Sequence, residues 1–295
     1  MSYLLDPKIL MAIKDLSLAA KTTIDGFMLG INKSNVKGRG FEFSQYRSYQ
    51  PGDDLRWLDW KMYGRSDRYF IRESEIETSI SVKFLIDASA SMNHKDGDFN
   101  KITYARYLAA SLGYLANMQH DAIGLYVFQN GGMFSLPSRK SHQHLNRFFF
   151  QLENIEPAGK FTEAIHYKEI FAGAQRKELL IFITDFYQHD QEITELLDAL
   201  ASLKHEVIVF HILGKNELDL DYKGYSTFED LETGKRIQID SNHVQKIYKE
   251  RLQEYLNNLR TQLLDKNIFY RMISMDHPLE QALRDFLNQR HKLRL

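Results

Sequence analysis

The chain contains no cysteine, so neither a disulfide framework nor a thiolate metal site can be built, and a reducing compartment suits it. It also lacks long apolar runs. The two longest, ELLIFITDF and HEVIVFHIL, are strand-sized, well short of the ~20 residues that a membrane span needs. The opening MSYLLDPKILMAIKDL threads acids and lysines through its apolar positions, so it is no secretory signal, which needs an unbroken apolar stretch of ~7–15 residues. Charge of one sign is missing as well. Lys and Arg number 38 and Asp and Glu 39, a formal net charge of -1, so bulk charge calls for neither a nucleic acid nor an anionic membrane. There is no GxxxxGK[ST] run, which argues against a P-loop ATPase. The absences leave a soluble, cytoplasmic globular protein as the expectation.

What is present is a repeating order of elements. From Pro7 to about Gly30, Ile9, Leu10, Ile13, Leu16 and Ala20 recur at helical spacing. A polar, Gly-rich stretch follows to Gly40. From Ile80 onward, apolar strand-like runs alternate with amphipathic helical ones. ISVKFLID precedes a helix over 101–118, DAIGLYVFQ and GMFSLP precede one over HQHLNRFFFQLE, and another helix is expected at 162–174. ELLIFITD, QEITELLDALASL and HEVIVFHIL repeat the pattern, and YSTFEDLETGKRIQID reads as a hairpin. A long helix from about Asn242, a strand NIFYRMIS and a helix from about Pro278 close the chain. The order predicts an α/β fold with a mostly parallel central sheet and helices on both faces. Ligands of such folds sit beyond the carboxyl ends of the strands.

Two of those ends carry oxygen-bearing side chains. FLIDASASM puts Asp87, Ser89 and Ser91 just after the first strand of the sheet. Alternate residues of extended chain face one way, so the three can converge. Thr184 and Asp185 end a second apolar strand, and Thr162 lies between the two runs in a loop that opens a helix. Carboxylates and hydroxyls are hard oxygen donors, suited to Mg2+, Mn2+ or Ca2+. The competing structural account is that Asp87 and Asp185 merely cap the helices after their strands.

D-x-S-x-S after a first strand, a threonine in a middle loop and T-D after a later strand resemble the metal-ion-dependent adhesion site of von Willebrand factor A domains. The resemblance implies a Rossmann-like von Willebrand factor A domain over 78–295, behind an N-terminal family-specific region over 1–77. It implies Mg2+, with Mn2+ or Ca2+ as substitutes, held directly by Ser89, Ser91 and Thr162, while Asp87 and Asp185 hold coordinated waters. A metal bound mainly by uncharged hydroxyls keeps charge and an open position for a partner's carboxylate, which points to binding and not to an enzyme. A hydrolytic site would add an activated water with a base beside it. A phosphatase using Asp87 as nucleophile would call for a second carboxylate where this chain has Ser89.

The segment EFSQYRSYQPGDDLRWLDWKMYGRSDRYFIRESEIET interleaves arginines and aromatics around a PGDD turn. With LLDPKILMAIKDLSLAAKTTIDGFMLGI near the start and FEDLETG at 228–234, it resembles the domain of unknown function 58 family. That family is von Willebrand factor A-like and encoded beside MoxR-type AAA+ ATPases. The resemblance implies a MoxR-type AAA+ ATPase and an unidentified client protein as partners, in assembly or maturation of a protein complex. Within the segment, Arg47, Asp53, Asp54, Arg56, Asp59, Trp60, Lys61 and Arg65 are expected either to form a salt-bridge network with Trp57 and Trp60 packed beneath it, or to present a docking face. A nucleic-acid strip over 39–72 is the remaining alternative, opposed by Asp53, Asp54, Asp59 and Asp67.

Overall fold

A computed structural model describes residues 6–33, 45–50, 54, 58, 60–73, 79–161, 170, 177–188, 191–203, 205–220, 222 and 224–293. The described strands are β1 (Gln45–Ser48), β2 (Phe70–Glu73), β3 (Ser81–Asp87), β4 (Lys95–Asp96), β5 (Phe99–Asn100), β6 (Ala122–Gln129), β7 (Gly132–Arg139), β8 (Leu179–Thr184), β9 (Glu206–Leu213), β10 (Tyr225–Glu229), β11 (Arg236–Asp240) and β12 (Phe269–Ser274). The helices are α1 (Pro7–Met11), α2 (Leu16–Lys33), α3 (Trp60–Ser66), α4 (Lys101–Met118), α5 (His142–Glu153), α6 (Glu192–Ser202), α7 (Lys215–Asp219), α8 (Ser241–Asp265) and α9 (Glu280–Lys292). Among the described residues no helix is long and apolar enough to cross a membrane. Of the helix expected at 162–174, only Ile170 lies within the described residues.

Six strands form the central sheet in the order β12-β9-β8-β3-β6-β7. All neighbours run parallel except β6 and β7. Those two are joined through Asn130 and Gly131, with φ of 55° and 71°. Positive φ at both positions of a two-residue loop matches the right-handed strand twist, and Asn-Gly supplies it at low cost. The central strands are buried on both sides, and their side chains divide by period two. Val82, Phe84 and Ile86 of β3 join a core built with α2, α4, α5 and α9. Leu85 of β3, with Leu180 and Phe182 of β8, joins a second core with α6 and Leu263 of α8. Between β3 and β8 the strand order reverses direction, and a crevice at the carboxyl ends follows from that switch.

Two expectations change at the amino terminus. The helix read from Pro7 to Gly30 is two helices, because the Asp15 side chain accepts from Leu18 N–H at 2.9 Å and from the Ser17 hydroxyl at 2.7 Å, and so caps the start of the second. The contacts also divide the chain differently from a cut at 77. Met1–Asn35 goes with Ile80–Leu295 in one unit, and Val36–Ser79 forms the other. The physical reason is that Leu16, Ala19, Ala20, Ile24 and Phe27 of α2 are buried in the core shared with α4. At the carboxyl end, Arg290 of α9 pairs with buried Asp121, which also accepts from Ile80 N–H at 3.1 Å and so fixes the entry to β3.

The Val36–Ser79 unit contains the antiparallel pair β1–β2 and helix α3. Tyr63 stacks on Tyr69 with ring centroids 4.6 Å apart. Trp60 is not packed beneath a salt-bridge network as the sequence suggested. It is 64% exposed and meets Tyr63 edge-on at 6.4 Å. Asp54 and Arg65 are exposed too. Asp53, Arg56, Trp57 and Asp59 lie outside the described residues, as do the side chains of Arg47 and Lys61.

Candidate functional site

Asp87 ends β3, and its buried carboxylate organises the strand ends. Oδ1 accepts from the Ser89 N–H at 3.0 Å and the Ser89 hydroxyl at 2.8 Å. Oδ2 accepts from the Thr184 hydroxyl at 2.7 Å, which ties β3 to β8. The chain then enters a short 3-10 turn, Ala90–Asn93, which brings the Ser91 hydroxyl to 3.0 Å from that of Ser89. Ser91 donates in turn to Asp185 Oδ1 at 3.1 Å. Four of the five residues assigned from sequence therefore meet in one hydrogen-bonded set, all buried. The fifth, Thr162, lies outside the described residues. The loop leading to it is stitched to the first motif, with Ala158 N–H donating to Ala88 O and Ala90 N–H to Gly159 O. Gly159 has a φ of 62°, and a Cβ there would lie 2.3 Å from Asn130 Oδ1, so only glycine fits.

Neither acid caps a following helix. The cap of α4 is Asn100, whose side chain accepts from Thr103 N–H at 3.1 Å, and at the start of α6 it is Gln188 whose Oε1 accepts from Ile193 N–H at 3.0 Å and Thr194 N–H at 3.2 Å. Asp87 and Asp185 face each other's motif instead, which removes the helix-capping account of both.

The geometry adds residues that spacing alone does not reveal. Lys101, the first residue of α4, is buried, and its ammonium lies 2.9 Å from Asp185 Oδ2 and 2.7 Å from Glu217 Oε1 of α7. Glu217 is itself held by the Gly214 N–H at 2.7 Å. Buried His211 of β9 donates from Nε2 to the Asp185 carbonyl at 3.0 Å and accepts at Nδ1 from the Tyr270 hydroxyl at 2.8 Å. Phe186 follows Asp185 at a φ of 58°, a left-handed conformation unusual for an aromatic residue. It is stabilised by its N–H donating to the Thr184 hydroxyl at 3.0 Å. A fourth carboxylate arrives from the turn between β10 and β11, where Glu232 lies against Ser89.

Electrostatics separates these acids. Burial, then the charge of Asp185, pushes the Asp87 carboxyl up to about 7. Burial also opposes ionisation of Asp185, but the Lys101 ammonium, with hydrogen bonds from the Tyr187 N–H and the Ser91 hydroxyl, outweighs it and holds that carboxyl below its usual range. Burial works against charging Lys101, and Asp185 and Glu217 more than compensate, so its pKa is raised. Glu232 is pushed up to about 7 by burial and by the charge of Asp87. His211 is driven down to about 3 by burial, so it is neutral near pH 7. Among the described residues no lysine or arginine pairs with the Asp87 carboxyl, while Asp185 has Lys101.

This donor set suits a hard cation. Oxygens ~2.0–2.1 Å from Mg2+ at neighbouring octahedral positions stand ~2.9 Å apart, and the Ser89 and Ser91 hydroxyls are 3.0 Å apart. Among the described residues no three His, Cys, Asp or Glu side chains form a metal cluster by themselves; here hydroxyls supply half of the four donors. An open cleft of about 320 Å³ lies beside the set, lined by Ser91, Asp185, Tyr187, Asp230 and Tyr255 among others.

The sheet order and the strand-end acids define an α/β protein with a mostly parallel sheet, and its D-x-S-x-S run resembles that of von Willebrand factor A domains. More narrowly, the chain belongs to the family described as "Protein of unknown function DUF58", whose profile matches residues 45–257. It is 26% identical over 232 residues to the uncharacterized protein Rv1480 of Mycobacterium tuberculosis, across 78% of this chain and 73% of that one. Among solved structures it is similar to the conserved hypothetical protein BatB of Bacteroides thetaiotaomicron, at 19% identity and a TM-score of 0.45, over 73% of this chain and 98% of that one. It is also similar to the SpRpn10 VWA domain, at 10% identity and a TM-score of 0.39, over 70% and 95%.

Proposed function

We propose that the protein is a non-enzymatic, Mg2+-dependent binding adaptor. It recognises an acidic side chain of a partner protein at the end of β3 and works in the cytoplasm with a MoxR-type AAA+ ATPase on the assembly or maturation of a protein complex. The observation that carries the binding role is the convergence of Asp87, Ser89, Ser91 and Asp185 into one buried oxygen set beside an open cleft. The metal supplies positive charge there and a coordination position for the partner's carboxylate; Ser89 and Ser91 hold it, and Asp87 and Asp185 orient what surrounds it. The histidine chemistry favours binding over hydrolysis. Both ring nitrogens of His211, the histidine that touches Asp185, are engaged, so it is not poised as a base. The ATPase and client rest on the family resemblance of the arginine–aromatic segment.

The test is an affinity pull-down from the source cells in Mg2+ or in EDTA, with wild type and Asp87→Ala, read by mass spectrometry. An AAA+ ATPase or its client retained only by wild type in Mg2+ is the expected result. The same proteins in every lane would exclude the metal site as the recognition element.

A further inference from the structure

The turn between β10 and β11 is built to hold one carboxylate inward. Asp230 shapes it: Oδ1 accepts from the Glu232 N–H at 2.9 Å and the Thr233 N–H at 3.3 Å, and the Asp230 carbonyl accepts from Gly234 N–H at 2.8 Å. Gly234 takes a φ of 70°, which closes the turn. Tyr187, two residues beyond Asp185, donates its hydroxyl to the Asp230 side chain. The turn is thereby tied to the strand-end loop that carries the site. Held in this way, Glu232 is half-buried, its Oε1 is shielded from solvent, and it meets the Ser89 hydroxyl. Neighbouring Leu231 and Thr233 are exposed. Glu232 is thus the most buried of the three, and the turn itself borders the cleft through Asp230 and Leu231.

An inward carboxylate that faces Asp87 and Asp185 either takes up a proton or needs positive charge between them to ionise. Lys101 is already shared by Asp185 and Glu217, so a cation on the serine hydroxyls is the group that would reconcile the three acids. We propose that Glu232 is an internal ligand of the cation site, filling the position that a partner's acid takes, so that partner binding requires the β10–β11 turn to withdraw. This rests on the metal-dependent reading above and adds a gate to it. The Tyr187–Asp230 hydrogen bond is the latch, and Tyr187 is a positioning residue.

Mn2+ alone, titrated into the full chain, tests the proposal with two readouts: affinity by calorimetry and water-proton relaxivity per bound ion. Glu232→Gln is expected to bind Mn2+ about tenfold more weakly, since site affinity follows the charge of its ligands. Relaxivity should rise, because water replaces the carboxylate. Added glutarate should then lower the relaxivity of Glu232→Gln much more than that of wild type, having an open position to enter. Tyr187→Phe, which keeps the ring and removes the latch, should shift relaxivity in the same direction by less. If wild type binds Mn2+, Asp87→Ala does not, and Glu232→Gln matches wild type in affinity, relaxivity and glutarate response, the gate is wrong while the cation site stands. If wild type binds no Mn2+, the cation site fails and the gate with it.

Discussion

Replacing Lys101 with methionine removes a buried positive charge from the site. The side chains are similar in length, so the change removes charge with little loss of packing. The Lys101 side chain is 4% exposed and that of Asp185 1%, and their atoms lie 2.9 Å apart. Glu217, the second partner at 2.7 Å, is 25% exposed and can recover water. The cost therefore falls on Asp185, left charged and buried beside Asp87. Removing one member of a buried ion pair costs about 3–5 kcal/mol. The pKa of Lys101 is raised in the fold, so its contribution is complete at pH 7 and declines only as pH climbs through the folded value. Chemical denaturation of wild type and Lys101→Met at pH 7 in EDTA reads the difference directly. Adding Mg2+ should reduce the gap, because the cation restores positive charge near Asp185. A loss below about 1 kcal/mol in EDTA, the size of an exposed pair, would refute the claim that Lys101 is what keeps Asp185 ionised in the core.

Two other perturbations probe the frame around the site. A Cβ on Gly113 of α4 would lie 2.5 Å from Phe148 Cε1 and 2.9 Å from Cζ, so Gly113→Ala should cost about 1–3 kcal/mol by overpacking, despite the better helix propensity of alanine; thermal unfolding that shows no loss would mean α5 can move away freely. His211 falls from 6.5 to about 3 on folding. A depressed histidine contributes stability that is complete above its unfolded value and is lost as pH falls towards the folded one, with a ceiling of about 5 kcal/mol. Asp87 and Glu232, both pushed up to about 7, act in the opposite sense over the same range, so the test is a comparison: from pH 7 down to 4 wild type should lose stability relative to His211→Gln, which can still donate to the Asp185 carbonyl. An equal slope in the two proteins would remove His211 as the cause.

Much of the frame was legible because both strand runs end in their acids. FLID and FITD are apolar until Asp87 and Asp185, so hydrophobicity located the strands and polarity located their carboxyl ends. The alternation of runs then implied the parallel sheet, and the hairpin at 225–240 followed from its turn residues. Lys101, Glu217, His211 and Glu232 were not legible, for a common reason. Each is polar, distant in sequence from Asp87, and ordinary in its own segment. A lysine at a helix start reads as solvated until the sheet order places α4 beneath the site. FEDLETG stands out in the sequence only as family layout. The break between α1 and α2 was present in the sequence as Asp15 before an apolar run, but helical spacing carried across the gap and hid it. Trp60 was assigned to packing from residue type, and on α3 it faces outward.

The central claim is that the strand-end oxygens hold a divalent cation. The direct measurement is calorimetric titration of Mg2+ into metal-free full-length protein, wild type and Asp87→Ala, with circular dichroism to confirm that both are folded. One saturable site in wild type and none in Asp87→Ala is the result predicted here. No saturable binding in wild type, or equal binding in the two folded proteins, would contradict it.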